Sequence, residues 1–382
     1  MAFIRYLTDI HLDHGAIGLL SAECNRIGIT RALIVTDVGV RAAGLLAKAE
    51  AALGDLPHAV FDGTQSNPTE AGVRAAVAVL ERERCDGLIA VGGGSSIDLA
   101  KGVAIAARHA GPLKHYATIE GGSPRITESV LPLIAVPTTA GTGSEVARGA
   151  ILIVDDGRKL GFHSWHLMPR SAVLDPDLTL GLPPALTAAT GMDAITHCME
   201  SFMAPAINPP ADGIALDGLM RGWAHIERAT QDGQDREARW NMLSASMQGA
   251  LAFQKGLGCV HSLSHSLGGV NPRLHHGTLN ALFLPSVIRF NAQADSLRRE
   301  RRLQRMALAM GLQTCDDNGD DLARAVQDMN QRLKLPSGLA ALGVSTSDFD
   351  RIIDGAIADH CHKLNPREAT REDYRALLAQ SM

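Results

Sequence analysis

GLIAVGGGSSIDLAKGVAIAARHA, residues 87–110, reads as a strand, a glycine turn and a helix in direct succession. GLIAVGG (87–93) is short and wholly apolar, while SIDLAKGVAIAARHA (96–110) has the length and composition of a helix. A strand without polar alternation is covered on both faces, which is the habit of parallel sheets. The same rhythm extends in both directions. ALIVTD (32–37) and HAVFDG (58–63) read as strands upstream, and LPLIAVP (131–137) as one downstream. VGVRAAGLLAKAEAAL (38–53) and PTEAGVRAAVAVLERERC (68–85) read as the helices between them. This β-α-β-α order predicts a Rossmann-like α/β domain.

From about residue 184 the pattern changes. The stretches 183–204, 211–229, 236–254 and 275–294 are all helical in character, with no convincing strand among them. The expected organisation is α/β plus all-α: a parallel-sheet nucleotide domain over 1–182 and a helical metal-binding domain over 183–382. A chain of 382 residues is long enough for two cores.

Composition narrows the function classes. With 46% apolar residues, 20% charged residues and a net charge of -5, the chain has no basic stripe suited to nucleic acid. The densest basic cluster, Arg298, Arg299, Arg301 and Arg302, alternates with leucine and glutamate as a solvated helix face would. Six scattered cysteines form no C-x-x-C pair, which predicts reduced thiols rather than a disulfide framework. The opening MAFIRYLTDIHLDHG lacks a signal-peptide core, and no apolar run approaches membrane-span length. A cytoplasmic enzyme without a membrane partner is the expectation.

Two glycine-bearing loops point to an anionic ligand. In GGGSSIDLAK (92–101), glycines let a backbone approach a ligand, and the N–H groups at the helix start favour negative charge. It is not the standard dinucleotide fingerprint, because the third glycine position is Ile97. PTTAGTGSE (137–145) offers the hydroxyls of Thr138, Thr139, Thr142 and Ser144, and no lysine follows Gly143 to make a triphosphate loop. Both loops follow strands, so both belong at the carboxyl edge of the sheet, where such folds bind ligands. Asp37 at the end of the first strand suits either a ribose hydroxyl or the N-cap of the next helix.

The helical half carries a metal-like constellation. Asp193 and His197 lie four apart in GMDAITHCME, and His261 and His265 repeat the spacing in GCVHSLSHSLGG. That spacing places each pair on one helix face. His275-His276-Gly277 precedes a further helix. A carboxylate with imidazoles suits a divalent transition metal such as iron(II) or zinc, and no H-E-x-x-H protease motif is present. His265 is a proton donor or acceptor beside the metal, or an outer histidine.

These residues resemble the iron-containing (group III) alcohol dehydrogenases over nearly the whole chain. The resemblance rests on ALIVTD, SNPT (66–69), GGGSSIDLAK, PTTAGTGSE, LDPDLTLGLPP (174–184), GMDAITHCME, GLGCVHSLSHSLGG, HHGTLNA (275–281) and NPR (365–367), in family order. It implies Asp193, His197, His261 and His276 as the metal ligands, with His276 rather than His275, and His265 as a non-ligand histidine for proton transfer. It implies a cofactor site made by Asn67, Gly93, Gly94, Ser95 and Asp98, by Thr138, Thr139, Thr142 and Ser144, and by the basic Lys159. Asp37 falls where the family selects NAD over NADP. The implied cofactors are NAD and Fe2+, with Zn2+ as an alternative, and the implied assembly is a homodimer or higher homo-oligomer.

The expected reaction is oxidation of a primary alcohol to its aldehyde, and the reverse. A bound divalent cation supplies the Lewis acidity, and the nicotinamide takes the hydride. Lys255, six residues before His261, is either a cleft-facing partner for a substrate carboxylate, as in 4-hydroxybutyrate, or a surface lysine. Phe162, Trp165, Phe253 and Cys361 are pocket candidates by neighbourhood. Other readings of the same fold are a dehydroquinate-synthase-like lyase, which needs a basic cluster not apparent here, and a zinc-dependent glycerol-dehydrogenase-like enzyme. A binding protein without turnover is the remaining class.

Overall fold

Strands β1 (Asp9–Leu12), β2 (Ala32–Val35), β3 (His58–Phe61), β4 (Gly87–Gly92), β5 (Leu133–Pro137), β6 (Gly149–Ile153), β7 (Lys159–His163) and β8 (Ser171–Leu174) occupy the first half of the chain. They were located in a computed structural model, in which residues 4–382 are described; Met1–Phe3 of the opening stretch lie outside them. Six strands form one parallel sheet in the order β1-β8-β5-β4-β2-β3. β6 and β7 form a separate antiparallel pair.

Every residue of β2, β4, β5 and β8 is buried, as the apolar runs required. Alternate residues feed two cores. Leu33, Val35, Leu88, Ala90, Leu133 and Ala135 pack on the face of α4 (Glu70–Arg82) and α5 (Gly94–Ala106). Ile34, Ile89, Val91, Ile134 and Val136 pack on the opposite face with α1 (Leu20–Ile27) and α3 (Leu45–Leu53). The run 38–53 is therefore not one helix. α2 (Val38–Ala42) and α3 are separated at Gly44, whose φ of 75° is open to glycine and breaks the helical path.

Strand β1 and the β6–β7 pair were not expected from the sequence. DIHL alternates charged and apolar residues and is half-exposed at the sheet edge, so it carries no apolar run. GAILI and KLGFH do alternate in burial, but each is only five residues long.

The second half is helical: α6 (Pro184–Met203), α7 (Pro209–Gln231), α8 (Arg236–Ala252), α9 (Cys259–Val270), α10 (His276–Asn291), α11 (Asp295–Arg299), α12 (Arg302–Ala309), α13 (Asp320–Arg332), α14 (Phe349–Ala358) and α15 (Arg371–Gln380). The chain divides into two compact units, residues 6–139 with 143–181, and residues 182–382 with 4–5 and 140–142. No helix among the described residues is long and apolar enough to cross a membrane. All six cysteines are free thiols.

Candidate active site

In the α/β unit the ligand-facing architecture starts at the ends of neighbouring strands. Gly92 pairs with Pro137 across β4 and β5, and Thr138 N donates to Gly92 O at 3.0 Å, so the two glycine-bearing loops leave the sheet at one level. Gly92 has φ +154°, and a Cβ there would lie 2.5 Å from Ser96 Oγ, so only glycine fits. A Cβ on Gly93 would lie 3.3 Å from Thr139 Oγ1, which shows how closely the loops approach. Gly93 caps α5, and Gly94 and Ser95 form its first turn, where helix N–H groups lack intrahelical partners. Ser95 Oγ donates to Ser66 O at 2.6 Å, and Lys159 Nζ donates to Asn67 Oδ1 at 2.9 Å. Burial lowers the Lys159 pKa, partly offset by Asp98. Asp37 is the N-cap of α2: its Oδ1 accepts from Val40 N at 2.9 Å, while Oδ2 lies beside Gly92.

Two of the expected cofactor residues face the protein instead. Asp98 accepts from Ser144 Oγ at 2.6 Å and from Ile151 N at 2.9 Å, tying α5 to the second loop and to β6. Ser144 is buried and bonded to both Asp98 and Lys101. Lys101, to which the sequence reading assigned no role, is fully buried; its ammonium donates to the carbonyls of Ser144, Ala147 and Gly149 at 2.7–2.8 Å. Asp98, Ser144 and Lys101 thus set the shape of the loop. Thr138 and Thr139 belong to the α/β unit, whereas Thr142 groups with the helical unit.

In the helical unit four donor atoms converge from three helices. Asp193 and His197 come from α6, His261 from α9 and His276 from the first turn of α10. The Nε2 atoms of His197 and His261 are 3.0 Å apart. Asp193 Oδ1 lies 3.9 Å from each of them and 3.7 Å from His276 Nε2. Asp193, His197 and His261 are buried, and His276 is partly open. Gly277 lets α10 lie against α6: a Cβ there would come within 2.2 Å of Ala189 O.

The donor set fits a divalent cation. Bonds of about 2.1 Å in tetrahedral geometry hold donors about 3.4 Å apart; the ligand atoms of Asp193, His197 and His261 stand 3.0–3.9 Å from one another, and His276 Nε2 joins them 3.7 Å from Asp193. Burial holds the His261 pKa well below the ordinary histidine value, with His197 and His276 adding to the effect, so the ring is neutral. Its Nδ1 lies 2.6 Å from Glu200 Oε2; with Glu200 ionised the ring donates Nδ1–H there, which leaves the Nε2 lone pair facing the cluster. Burial likewise lowers the His197 pKa, so a second ring is neutral.

Three residues at this site escaped the sequence reading. Glu200 is seven residues, two helical turns, beyond Asp193, a spacing visible in GMDAITHCME. Its carboxyl group also accepts from Val260 N at 2.8 Å, and burial pushes its pKa up to about 8 against its backbone hydrogen bonds. Asn280 stands one turn beyond His276; its Nδ2 donates to Asp193 Oδ1 at 2.7 Å and lies 3.1 Å from His276 Nε2. Asp359 lies 3.0 Å from His265 Nδ1, a pairing across 94 positions that no local pattern displays. Burial pushes the Asp359 carboxyl up, but the charge and hydrogen bond of His265 prevail and hold it at about 2. The His265 ring stacks on that of His276 at 5.2 Å.

The substrate candidates divide. Phe253 stays at the site, its ring 5.2 Å from that of His197. Cys361 is buried beside His360, with 3.4 Å between Sγ and Nε2. Phe162 is fully buried in the α/β core and is not a pocket residue, and Trp165 packs under Arg148. Lys255 is neither cleft-facing nor on the surface. Its side chain is wholly buried, and Nζ pairs with Asp212 Oδ1 at 2.5 Å. Arg302 shares the same carboxylate at 3.1 Å.

A parallel sheet with glycine loops, followed by helices that gather a carboxylate and three imidazoles, defines a class of metal-using oxidoreductases. The family model for iron-containing alcohol dehydrogenase matches residues 8–176, and the model for the C-terminal part of that family matches residues 187–382. The chain belongs to the iron-containing alcohol dehydrogenase family and is an enzyme that oxidises alcohols. It is 66% identical to a 4-hydroxybutyrate dehydrogenase of Cupriavidus necator, over the full length of both chains. A solved 1,3-propanediol oxidoreductase superposes over all of both chains with a TM-score of 0.93 and 34% identity. A sulfoacetaldehyde reductase from Bifidobacterium kashiwanohense, solved in complex with NAD+, matches with a TM-score of 0.90 and 25% identity, covering 100% of this chain and 98% of that one.

Proposed function

We propose that the enzyme interconverts 4-hydroxybutyrate and its semialdehyde with NAD as the hydride carrier. The observation that carries the chemistry is the convergence of Asp193, His197, His261 and His276 on one small volume. The full-length identity with a 4-hydroxybutyrate dehydrogenase supports the substrate. The four side chains would hold a divalent ion, iron(II) in our reading, which supplies Lewis acidity toward the substrate oxygen. Glu200 orients His261 by holding its Nδ1 proton, as carboxylates behind metal-bound histidines do.

The substrate loses two hydrogens. Bound NAD would supply the acceptor for the carbinol hydride, and His265 would take the hydroxyl proton. In the α/β unit, Gly93, Gly94 and Ser95 offer backbone N–H groups to the cofactor phosphates, with Thr138 and Thr139 across the loop. Asp37 favours NAD, because its free carboxylate oxygen repels a 2′-phosphate. A homodimer and a cytoplasmic location complete the reading, the first checked by light scattering.

The test is a substrate panel on iron-loaded enzyme. We expect kcat/KM for 4-hydroxybutyrate with NAD to exceed that for 1-butanol and for the same acid with NADP. Equal rates on butanol and 4-hydroxybutyrate would remove the substrate assignment while leaving the alcohol dehydrogenase class in place.

A further inference from the structure

We infer that Asp359 is the positioning residue that fixes the proton of His265 on Nδ1 and so prepares its other nitrogen to accept the substrate proton. The inference rests on the proposed proton-transfer role of His265.

His265 projects from α9 into a sandwich of imidazoles. Its ring is nearly parallel to that of His276 (5.2 Å, 11°) and to that of His360 (5.8 Å, 21°). The stack fixes the plane of the ring but leaves its tautomer open. Asp359, immediately after α14, settles it. Oδ2 lies 3.0 Å from His265 Nδ1, and a carboxylate only accepts, so Nδ1 carries the proton. The other oxygen is also committed: Oδ1 accepts from Cys361 N at 2.8 Å. The carboxylate is therefore anchored at both ends, and His265 Nε2 is left with a lone pair. In the forward reaction the hydroxyl proton passes to that lone pair as the hydride passes to NAD+. The imidazolium so formed stays paired with Asp359, and the products are aldehyde, NADH and a proton on His265.

The two-ended anchoring makes an unusual prediction for the isosteric variant D359N. Cys361 N–H needs an acceptor, so it takes the amide oxygen and turns the NH2 group toward His265 Nδ1. Two donors cannot face each other, and the ring proton moves to Nε2, the wrong nitrogen. D359A imposes no tautomer. We therefore expect D359N to lose about 100-fold or more in kcat, with KM and bound metal unchanged, and to be more impaired than D359A. D359E, which restores an acceptor, should recover part of the loss. In an H265Q background, D359N should add nothing further.

Melting temperature and metal content are measured on each variant. A merely structural role gives the opposite order, with alanine worse than asparagine and the losses following melting temperature. That order, or wild-type kcat in D359N, overturns the inference. Should D359N fail to fold, D359E against D359A carries the same comparison. H265Q alone separates the two claims: full activity there removes the proton-transfer reading, whereas a crippled H265Q beside an active D359N removes only Asp359.

Discussion

The two units of this enzyme build their sites from different material. In the α/β unit the working surface is mostly backbone: glycines at 92–94, the first turn of α5, and loops held from behind by Lys101, Asp98 and Ser144. In the helical unit it is mostly side chain: one carboxylate and three imidazoles carried on α6, α9 and α10. A backbone site tolerates change in the residues that merely line it but not in those that set its φ angles. A side-chain site fails when a single donor is removed. The contrast teaches that equal-sized substitutions in the two units should fail in different ways.

The largest effect is expected from His261→Ala. It deletes one of the two Nε2 atoms that lie 3.0 Å apart and leaves Glu200 buried without its imidazole partner. Bound metal and turnover should be lost together, with kcat falling by roughly 1,000-fold or more. NAD affinity, read by fluorescence titration, should be unaffected. Wild-type turnover in the metal-free variant would break the assignment of the cluster.

Next comes Gly92→Ala, the matching test on the backbone side. The new Cβ would meet Ser96 Oγ at 2.5 Å at a φ of +154°, so the turn must shift. A strain of roughly 1–3 kcal/mol placed on the cofactor loop corresponds to about 5- to 150-fold in KM for NAD. Metal content should stay at the wild-type level. If the variant instead lost metal and kept its KM for NAD, the division between a backbone site and a side-chain site would be wrong.

The same contrast governs what the sequence revealed. Asp193, His197 and His261 were legible because helical spacing is local, and the parallel sheet was legible because its strands are unbroken apolar runs. Glu200 and Asn280 share those helix faces at two turns and one turn from a named residue, so the signal was present but not read. Asp359 had no local signal at all, since its partner lies on another helix. β1 was hidden by Asp9 and His11, polar residues whose partners, Arg26 and Glu23, come from α1. Asp37 left both of its readings open, and the structure shows its cap and its approach to Gly92 together.

Lys255 shows most directly how position along the chain can mislead, and it sharpens the comparison with the smallest expected effect on catalysis. Nearness to His261 suggested a substrate contact, but Asp212, 43 residues away, claims the ammonium inside the helical unit. Lys255→Met removes one of two cations on that carboxylate, while Arg302 still pairs with it at 3.1 Å. The carboxylate is therefore not stranded, and the cost should be nearer a lost charged hydrogen bond, about 1–3 kcal/mol, than a broken buried pair. The measurement is the melting temperature, expected to drop by several degrees, beside the ratio of kcat/KM for 4-hydroxybutyrate and 1-butanol. That ratio should not move, because a buried ammonium already satisfied by Asp212 has nothing to offer a substrate. A collapse of the ratio at unchanged melting temperature would place Lys255 at the substrate after all and make it, like the metal cluster, a side chain that acts on the ligand rather than on the fold.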